Sequence, residues 1–270
     1  MRTSYKISVV TVTYNCESTI KSTIESIVNQ TYQNIEYIVV DGQSNDRTKD
    51  IIGQYSCQIH TFISEKDNGI FDAMNKAVLL ATGDYIVFIN SGDRFADNQV
   101  IERTFSKYTD DHDLIYGDVY IENEFGLKLE KADAIYLKKY TPYDLVFKSQ
   151  GFCHQSLFTK TSILKNVMFN TNYPIGADYD TTYKVFLQGN HKIKYLEYPV
   201  AIFSALPDGA SHNGKFMREI YDERCLMFNV KKNLVYYCRI QCMKMVVDGK
   251  VLLERLFPKL VKKIRKRNYQ

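Results

Sequence analysis

The stretch from Tyr85 to Asp93 combines five consecutive apolar residues with a carboxylate that could bind a metal ion. The apolar residues, 85–89, are typical of a strand that is buried on both faces of a parallel sheet. Asp93 follows Ser91 and Gly92, a small and flexible pair that lets backbone and ion approach closely. Open α/β sheets bind ligands at the carboxyl ends of their strands, so we interpret Asp93 as a metal-holding carboxylate for a nucleotide diphosphate. Taken alone, an ordinary polar loop explains this segment equally well.

Three earlier predicted strands also end in polar residues. They are residues 7–13, followed by Asn15; residues 35–40, followed by Asp41; and residues 59–64, followed by Glu65 and Asp67. Apolar residues at helical spacing separate these strands, and the connections have the length of right-handed crossovers. Parallel strands of this kind bring their carboxyl ends to one edge of the sheet. Four polar loops on that edge together predict a ligand site.

Beyond residue 108 the pattern changes. The sequence first predicts a β-hairpin with strands 114–122 and 127–131, followed by a strand over 151–158. It then predicts a helix that begins within 176–180, a strand over 193–203 and helices from residue 215 onward. The strand over 151–158 would carry His154 outward. Pro199 interrupts the later strand, which indicates a position near the edge of the sheet.

Composition describes a globular protein with a basic end. The 270 residues allow one large α/β domain or two small ones. The net charge is +4, but residues 250–270 alone contain eight basic residues and one acidic residue. The remainder is slightly acidic, so we expect no nucleic acid among the partners.

Several classes of protein are disfavoured because their motifs are missing. The first strand is followed neither by G-x-G-x-x-G nor by a Walker A lysine loop, which disfavours a dinucleotide dehydrogenase and a P-loop nucleotidase. The six cysteines include no C-x-x-C pair, so neither zinc nor a disulfide framework is expected. The sequence shows no signal peptide and no apolar run approaching the ~18 residues of a spanning helix, so the cytoplasm is the expected compartment.

Five segments in the first hundred residues resemble the family 2 glycosyltransferases, in the order that the family shows. They are VTVTYN at 10–15, VDGQSNDRT at 40–48, EKDNGIFDAMNKA at 65–77, ATG at 81–83 and NSGD at 90–93. The second half matches more loosely, through CHQ at 153–155 and GADYD at 176–180. The set is highly specific, and it is most similar to the branch that handles bacterial surface polysaccharides such as capsule, colanic-acid-like polymer or the O-antigen of lipopolysaccharide.

The resemblance implies an α/β protein with the GT-A fold, a Rossmann-like, mostly parallel sheet flanked by helices. It implies a GT-A domain over residues 1–214, in which 1–108 bind the nucleotide sugar and 109–214 the acceptor. Residues 215–270 would form a basic, helical C-terminal extension. The implied activity is metal-dependent, inverting transfer of a hexosyl or N-acetylhexosaminyl group. It would run from a UDP-sugar to a hydroxyl of a growing polysaccharide or lipid-linked glycan.

On the nucleotide side, the resemblance assigns contacts to the ends of the first three strands. Thr13 and Asn15 would contact the nucleotide, and Asp41 would accept a hydrogen bond from the uracil imide. Alternatively, Thr13 and Asn15 are ordinary polar residues of a turn, and Asp41 caps the next helix. Asp67 would face the nucleotide or its ribose, with the backbone of Gly69 nearby.

Further residues would contact the donor, each with an alternative role. Asp72 and Lys76 are one helical turn apart, so a simple ion pair is the rival interpretation. His154 would contact the diphosphate or the acceptor, unless its role is structural. Ser211 and His212 occupy a loop that could close over the phosphates and exclude water.

The metal site implied by the resemblance departs from the family pattern at one position. Asp93 is the last residue of the usual Asp-x-Asp, but Ser91 replaces the first carboxylate. Oxygen ligands suit Mg²⁺ or Mn²⁺, which would stabilise charge on the departing nucleoside diphosphate. His212 could add a further ligand.

An inverting transfer needs one carboxylate on the acceptor side as a general base, and Asp178 is the candidate. The family often shows Glu-Asp here, whereas this chain has Ala177 before Asp178. Asp180 is the second candidate, although two residues further along a helix it should point away. The alternative role of Asp178 is that of a helix N-cap.

The segment 255–267 mixes apolar and basic residues in the manner of a membrane-surface helix. We therefore expect a cytoplasmic enzyme, peripheral at the inner face of the plasma membrane, with a solvated helical end as the alternative. Two other functions stay open. A catalytically inactive nucleotide-sugar-binding or scaffold protein would explain Ser91 and Ala177. A nucleotidyltransferase would need a basic, glycine-rich loop after the first strand, and residues 15–18 do not provide one.

Overall fold

The computed structural model describes residues 4–106, 111–133, 140–148, 151, 153–188, 190–205, 214–257, 259 and 261. The strands are β1 (Ile7–Thr13), β2 (Ile35–Asp41), β3 (Thr61–Ser64), β4 (Tyr85–Phe88), β5 (Arg94–Phe95), β6 (Leu114–Asn123), β7 (Gly126–Glu130), β8 (Leu157–Lys160) and β9 (Ile193–Ser204). The helices are α1 (Ile20–Val28), α2 (Thr48–Gly53), α3 (Ile70–Leu80), α4 (Val100–Phe105), α5 (Pro142–Leu145), α6 (Thr161–Val167), α7 (Ala177–Tyr183), α8 (Gly214–Met227) and α9 (Leu234–Leu256). A 3₁₀ turn covers His154–Ser156, and a π turn covers Lys184–Gln188.

Within these residues the strands form one sheet in the order β3–β2–β1–β4–β8–β6–β9–β5, and β7 pairs with β6 as the predicted hairpin. β3, β2, β1 and β4 are parallel, as the strand–helix repeat predicts. β8 runs antiparallel between β4 and β6, whereas β9 runs parallel to β6. The α/β architecture is as predicted. The sheet as a whole is mixed, because the strands after β4 pair partly without the helical crossovers that parallel pairing requires.

Helices cover both faces of the parallel half, which explains its continuous apolar strands. All seven residues of β1 are buried, and side chains alternate between the two faces of a strand. On one face, Ile20, Ile24 and Ile27 of α1 pack against the sheet. Residues of α3 form the core on the opposite face.

Some boundaries differ from those that the sequence predicts. β3 begins at Thr61, β4 ends at Phe88, and the two-residue β5 was not predicted. The strand predicted over 151–158 is wrong in its first part, because His154–Ser156 form a 3₁₀ turn before β8. The N–H and the hydroxyl of Ser156 both donate to the carbonyl oxygen of Cys153, at 3.0 and 2.9 Å, and these hydrogen bonds close the turn.

The C-terminal helices pack on the second half of the sheet domain. Tyr221 and Cys225 of α8 and Tyr236 and Ile240 of α9 form one apolar cluster with residues of α5 and α7, including Tyr179. None of the helices that the structure describes combines the length and the apolar character needed to cross a membrane. Most of the predicted tail segment 255–267 lies outside the described residues.

Close contact with β1 explains why the motif at 81–83 ends in a glycine. A Cβ at this position would lie 2.6 Å from the N and Oγ of Ser8 and 2.8 Å from the carbonyl oxygen of Lys6. The N–H of Gly83 donates to Oγ of Ser8 at 2.9 Å, and the N–H of Thr82 donates to the Glu36 carboxylate at 2.7 Å. The turn that leads from α3 into β4 therefore lies directly against β1.

We expect Gly83→Ala to lower the free energy of unfolding by about 2 kcal/mol, because backbone atoms of β1 cannot move aside easily. Gly53→Ala is the matched control, since its Cβ would have no atom within 4 Å and would lie in helix α2. That control should keep or gain stability, by up to about 1 kcal/mol. Urea unfolding of both variants measures the difference, and equal midpoints would contradict this account.

Candidate active site

Residues Asn90 to Asp93 form a tight turn after β4. The N–H of Asp93 donates to the carbonyl oxygen of Asn90 at 2.9 Å. Gly92 has a φ of 100°, the left-handed conformation that the third position of a type II turn requires. Oγ1 of Thr23 in α1 accepts from the N–H of Gly92 at 3.0 Å and donates to the carbonyl oxygen of Asp93 at 2.8 Å. The first helix thus holds the turn that carries Asp93.

The Asp93 carboxylate is buried and connects three parts of the chain. Oδ2 accepts from Nε2 of Gln155 at 2.8 Å, and Oδ1 accepts from the N–H of Ser204 at 3.0 Å. Burial raises the pKa of Asp93 to about 6, and the hydrogen bonds from Ser204 and Gln155 act in the opposite direction. A desolvated carboxylate of this kind is stabilised in its charged form by a nearby cation.

His154 lies between this turn and Asp178. Its Nε2 is 3.3 Å from Nδ2 of Asn90, and its Nδ1 is 3.5 Å from Oδ2 of Asp178. An amide nitrogen donates only, so the contact with Asn90 is a hydrogen bond in the tautomer whose Nε2 is unprotonated, and that tautomer has its proton on Nδ1, the nitrogen that faces Asp178. The histidine therefore orients the aspartate.

Asp178 is the second residue of α7 and is not its N-cap. Gly176 occupies the cap position, and Oδ1 of Asp178 accepts from the N–H of Tyr179 at 2.8 Å. About one fifth of the Asp178 side chain is exposed, so the carboxylate can contact a ligand. Asp180 is buried and accepts from Nζ of Lys184 at 2.6 Å, which agrees with the expectation that it points away.

Asp178 and His154 border a cavity of about 30 Å³ whose other lining residues are mainly apolar, including Phe88 and Phe169. This volume has room for one or two water molecules. A sugar needs a far larger space, so donor and acceptor would have to bind on the open side of these residues, above the strand ends.

A metal ion fits the oxygen atoms around Asp93. Oδ1 of Asn90 and Oγ of Ser91 are buried and have no hydrogen-bond partner among the described residues. Together with the carboxylate they form the hard donor set that Mg²⁺ or Mn²⁺ prefers. In the part of the chain that the structure describes, no three His, Cys, Asp or Glu side chains cluster as a preformed metal site. The ion would therefore complete its shell with ligand oxygens and water.

Hydrogen bonds between side chains and backbone N–H groups join the loops after β1 and β2. Asn15 has a φ of 50°, its N–H donates to Oγ of Ser44 at 2.8 Å, and its Oδ1 accepts from the N–H of Asn45 at 2.9 Å. The N–H of Cys16 donates to Oγ1 of Thr48 at 2.8 Å. Asn15 is therefore a loop-building residue as well as an exposed candidate for nucleotide contact.

The carboxylate of Asp41 is buried at the end of β2. It accepts from the N–H of Ser44 at 3.0 Å, from Oγ of Ser44 and from Oγ of Ser64 at 2.6 Å. The predicted contact with the uracil imide stays a prediction, and in this structure the carboxylate is hydrogen-bonded within the protein. With its oxygens bonded to three donors, Asp41 fixes the loop after β2 to the end of β3.

Asp67 is the accessible carboxylate at this edge. Oδ2 of Asp67 lies so close to Gly42 that a Cβ there would be only 2.5 Å away, and the ring of Tyr14 is 3.4 Å from the same point. Oδ1 of Asp67 accepts from the N–H of Gly69 at 3.0 Å. Tyr14 is 58% exposed, so a flat ring and a carboxylate border one open surface. The hydroxyl of Thr13, buried and without a partner among the described residues, lies at the end of β1 nearby.

Asp72 and Lys76 form the predicted alternative, an ion pair within α3. Oδ2 of Asp72 is 3.7 Å from Nζ of Lys76 and accepts from the N–H of Asn68 at 3.0 Å. Nζ of Lys76 also contacts Glu65 at 2.8 Å and donates to the carbonyl oxygen of Lys66 at 3.0 Å. Both side chains thus shape the loop that holds Asp67.

Ser211 and His212 lie outside the described residues. Gln155, Tyr14 and Gly42 lie inside the segments that resemble the family, but the sequence predicts no role for them. Glu223 in α8 is not predicted from the sequence at all. Its carboxylate accepts from the N–H of Gly176 at 2.9 Å. Only the neighbouring His154 gave a signal for Gln155, and no local pattern marks Glu223.

The family model described as "Glycosyl transferase family 2" matches residues 8–168. Among curated proteins, the "PGL/p-HBAD biosynthesis glycosyltransferase" of Mycobacterium bovis (strain BCG / Pasteur 1173P2) is 27% identical over 204 residues, covering 73% of this chain and 76% of the relative. The "UDP-Glc:alpha-D-GlcNAc-diphosphoundecaprenol beta-1,3-glucosyltransferase WfaP" of Escherichia coli is 35% identical over 122 residues, 44% of this chain and 48% of that protein.

Solved structures support the fold. S. aureus TarS 1-349 in complex with UDP-GlcNAc superimposes with a TM-score of 0.61 at 18% identity, covering 98% of this chain and 79% of that one. The mannosyltransferase PcManGT from Pyrobaculum calidifontis, in complex with GDP-Man and Mn²⁺, gives 0.58 at 18% identity, with 89% and 69% covered. The GT-A architecture expected from the sequence is therefore confirmed.

Proposed function

The chain belongs to glycosyl transferase family 2 and is a glycosyltransferase, and we propose that it transfers a sugar from UDP to a hydroxyl with inversion. The observation that carries this proposal is the convergence of Asp93, His154 and Asp178 at one edge of the sheet. His154 is 3.5 Å from Asp178, and Gln155, next in the chain, is 2.8 Å from Asp93. A carboxylate for the departing diphosphate and a second one for the acceptor thus lie on either side of one short segment.

The nucleotide would bind across the ends of β1, β2 and β3. Tyr14 offers a ring for stacking, Asp67 offers a carboxylate to the imide or the ribose, and Thr13 offers a hydroxyl that has no hydrogen-bond partner among the described residues. Asp41 acts one step away, because it holds the loop that contains Gly42. Solved relatives in complex with UDP or UDP-GlcNAc support UDP as the nucleotide of the donor.

Asp178 would act as the general base for the acceptor hydroxyl. His154, fixed by Asn90, keeps the Asp178 carboxylate oriented and places a donated proton beside it. Asp180 is unsuited to this task because its carboxylate is buried against Lys184.

Asp93, Asn90 and Ser91 would hold Mn²⁺ or Mg²⁺. The bound ion would supply positive charge to the diphosphate as it leaves. The substitution of Ser91 for an acid leaves a single carboxylate, which is compatible with binding because the diphosphate itself brings negative oxygens. His212 stays a candidate ligand, and Ser211 a candidate phosphate contact.

The acceptor we propose is a hydroxyl of a growing surface polysaccharide or of a lipid-linked glycan. The name of the E. coli relative, a glucosyltransferase that acts on a diphosphoundecaprenol-linked sugar, supports a lipid-linked acceptor. The basic segment 255–267 would then keep the enzyme at the inner leaflet, where each basic residue near an anionic surface contributes about 1 kcal/mol.

We expect Asp178→Asn to lower the rate of transfer by about 10²–10⁴-fold while UDP binding is retained, because the amide cannot accept the proton. Asp180→Asn is the comparison variant and should keep most of the activity. UDP release from a panel of nucleotide sugars, with calorimetry for UDP, provides both measurements. Transfer by Asp178→Asn at the rate of the parent enzyme would remove this residue as the base.

A second expectation concerns the metal. A chelator should abolish transfer, and added Mn²⁺ should restore it in the parent but not in Asp93→Asn, whose side chain lacks the charge that binds the ion. Asp97→Asn removes an exposed carboxylate nearby and is the matched control. Calorimetric titration of UDP with and without Mn²⁺ provides an independent measurement. Metal-independent donor binding in the parent would contradict the proposed site.

A further inference from the structure

We propose that the exposed apolar face of α9 lies against an anionic lipid surface, an inference that rests on the placement at the inner leaflet proposed above. The proposed membrane contact would then include helix α9 as well as the basic tail. Its partner is the bilayer surface itself.

One side of α9 packs on the protein, and the opposite side is apolar and open. Tyr236 and Ile240 are buried in the cluster with α8, α5 and α7. We call the exposed set the apolar stripe; it consists of Leu234, Val235, Cys238, Cys242, Met245, Val246, Leu252, Leu253, Leu256 and Phe257. Leu234 is 78% exposed and Met245 65%. Exposed apolar side chains that recur along one side of a helix mark a contact surface in soluble proteins.

The stripe follows helical spacing along all of α9. Its central row, Leu234, Cys238, Cys242, Met245, Leu252 and Leu256, advances in steps that keep residues on one side of a helix. Among the described side chains, Arg239 lies beside the row and over the ring of Phe147, just after α5, with its guanidinium carbon 4.1 Å from the ring centroid. A helix of this length presents a strip of about 35 Å.

The charge of the sequence selects lipid over a second copy of the chain. Residues 257–270 contain six basic residues and no acidic residue, directly after the stripe. An apolar face followed by a basic segment is the pattern of helices that bind anionic bilayers in the interface. In a symmetric dimer along α9, parallel helices would place the two basic segments together. Antiparallel helices would place each one beside Lys231, while Lys232 is already paired with Asp222, so neither arrangement offers the negative charge that an anionic bilayer does.

Native cysteines provide probes for this contact. Cys238 and Cys242 are exposed in the stripe, while Cys57 is exposed in the loop before β3. With vesicles of phosphatidylcholine and phosphatidylglycerol, we expect a charged, membrane-impermeant thiol reagent to react about tenfold more slowly with Cys238 and Cys242. Its reaction with Cys57 should not change. Equal rates at Cys238 and Cys242 with and without vesicles would overturn the proposal.

Point variants separate the stripe from the tail. Met245→Glu with Leu252→Glu should weaken co-sedimentation with these vesicles about tenfold or more. Leu79→Glu in α3 is the matched control, because Leu79 is also 65% exposed, and it should bind like the parent. If the double variant binds vesicles like the parent, lipid is rejected as the partner. Lipid is also rejected if self-association slows the reaction of Cys238 and Cys242 in the absence of vesicles. UDP affinity, measured on the same proteins, tests the proposed function separately.

A different observation gives a second inference: the geometry points to Glu223 as a positioning residue for Asp178. Oε2 of Glu223 in α8 accepts from the N–H of Gly176 at 2.9 Å, and both carboxylate oxygens are 3.3 Å from the N of Ile175. These N–H groups lie at the start of α7, where a helix leaves its donors unpaired and favours a negative charge. Asp178 follows two residues after Gly176.

The neighbouring contacts show that α8 is fitted to this helix end. A Cβ on Gly176 would lie 3.0 Å from Cε of Met227 and 3.4 Å from Oε2 of Glu223. The guanidinium carbon of Arg224 lies 4.1 Å from the ring centroid of Tyr179 in α7. Glu223 is half-buried, so its hydrogen bonds are sheltered from water. The helix that carries the general base is therefore held by a helix more than forty residues further along the chain.

Glu223→Ala should lower kcat about tenfold or more and leave the KM for the donor nearly unchanged, because misplacement of the base affects chemistry and not UDP binding. Glu223→Gln keeps an oxygen acceptor for Gly176 and should recover most of the activity. Lys232→Ala, which removes an exposed ion pair with Asp222, is the control and should behave like the parent. A Gln variant as slow as the Ala variant, or an equal change in KM, would overturn the assignment.

Discussion

The hydrogen bonds to the Asp93 carboxylate are the constraint on which the site depends. A carboxylate that is only 5% exposed must be matched by donors, because an unpaired buried charge is strongly destabilising. The donors come from Gln155, just before β8, and from Ser204 at the end of β9. Since β8 and β9 lie on the mixed side of the sheet, these two bonds join the turn after the parallel strand β4 to the mixed part of the sheet.

The segment that supplies Gln155 also supplies His154, and this adjacency links the two chemical tasks. Gln155 contacts Asp93, the carboxylate that we propose for the metal, and His154 contacts Asp178, the carboxylate that we propose for the acceptor. The 3₁₀ turn makes this possible, because a strand would send neighbouring side chains to opposite faces. The departure from the predicted strand at this point is therefore part of how the site is built.

Burial and hydrogen bonding distinguish residues that the local sequence treats alike. Asp41, Asp72 and Lys76 lie in segments typical of nucleotide contact, yet their hydrogen bonds and ion pairs hold loops together. Asp178 and Asp180 differ by two positions, and only packing of α7 shows that one is accessible while the other is buried beside Lys184. Local sequence records the residue type but not the exposure of its side chain.

By itself, the sequence determined the strand–helix repeat of the first hundred residues, the polar loops at one sheet edge and the family of the protein. Local patterns are enough to predict these features, because the periodicity of apolar residues indicates helices and strands, and turn residues mark the loops between them. The tertiary structure decided the antiparallel entry of β8, the bonds from Gln155 and Ser204 to Asp93, and the contact of Glu223 with the helix that carries Asp178. Those contacts join residues separated by 47 or more positions, and their geometry follows from how the sheet and helices pack rather than from any local pattern.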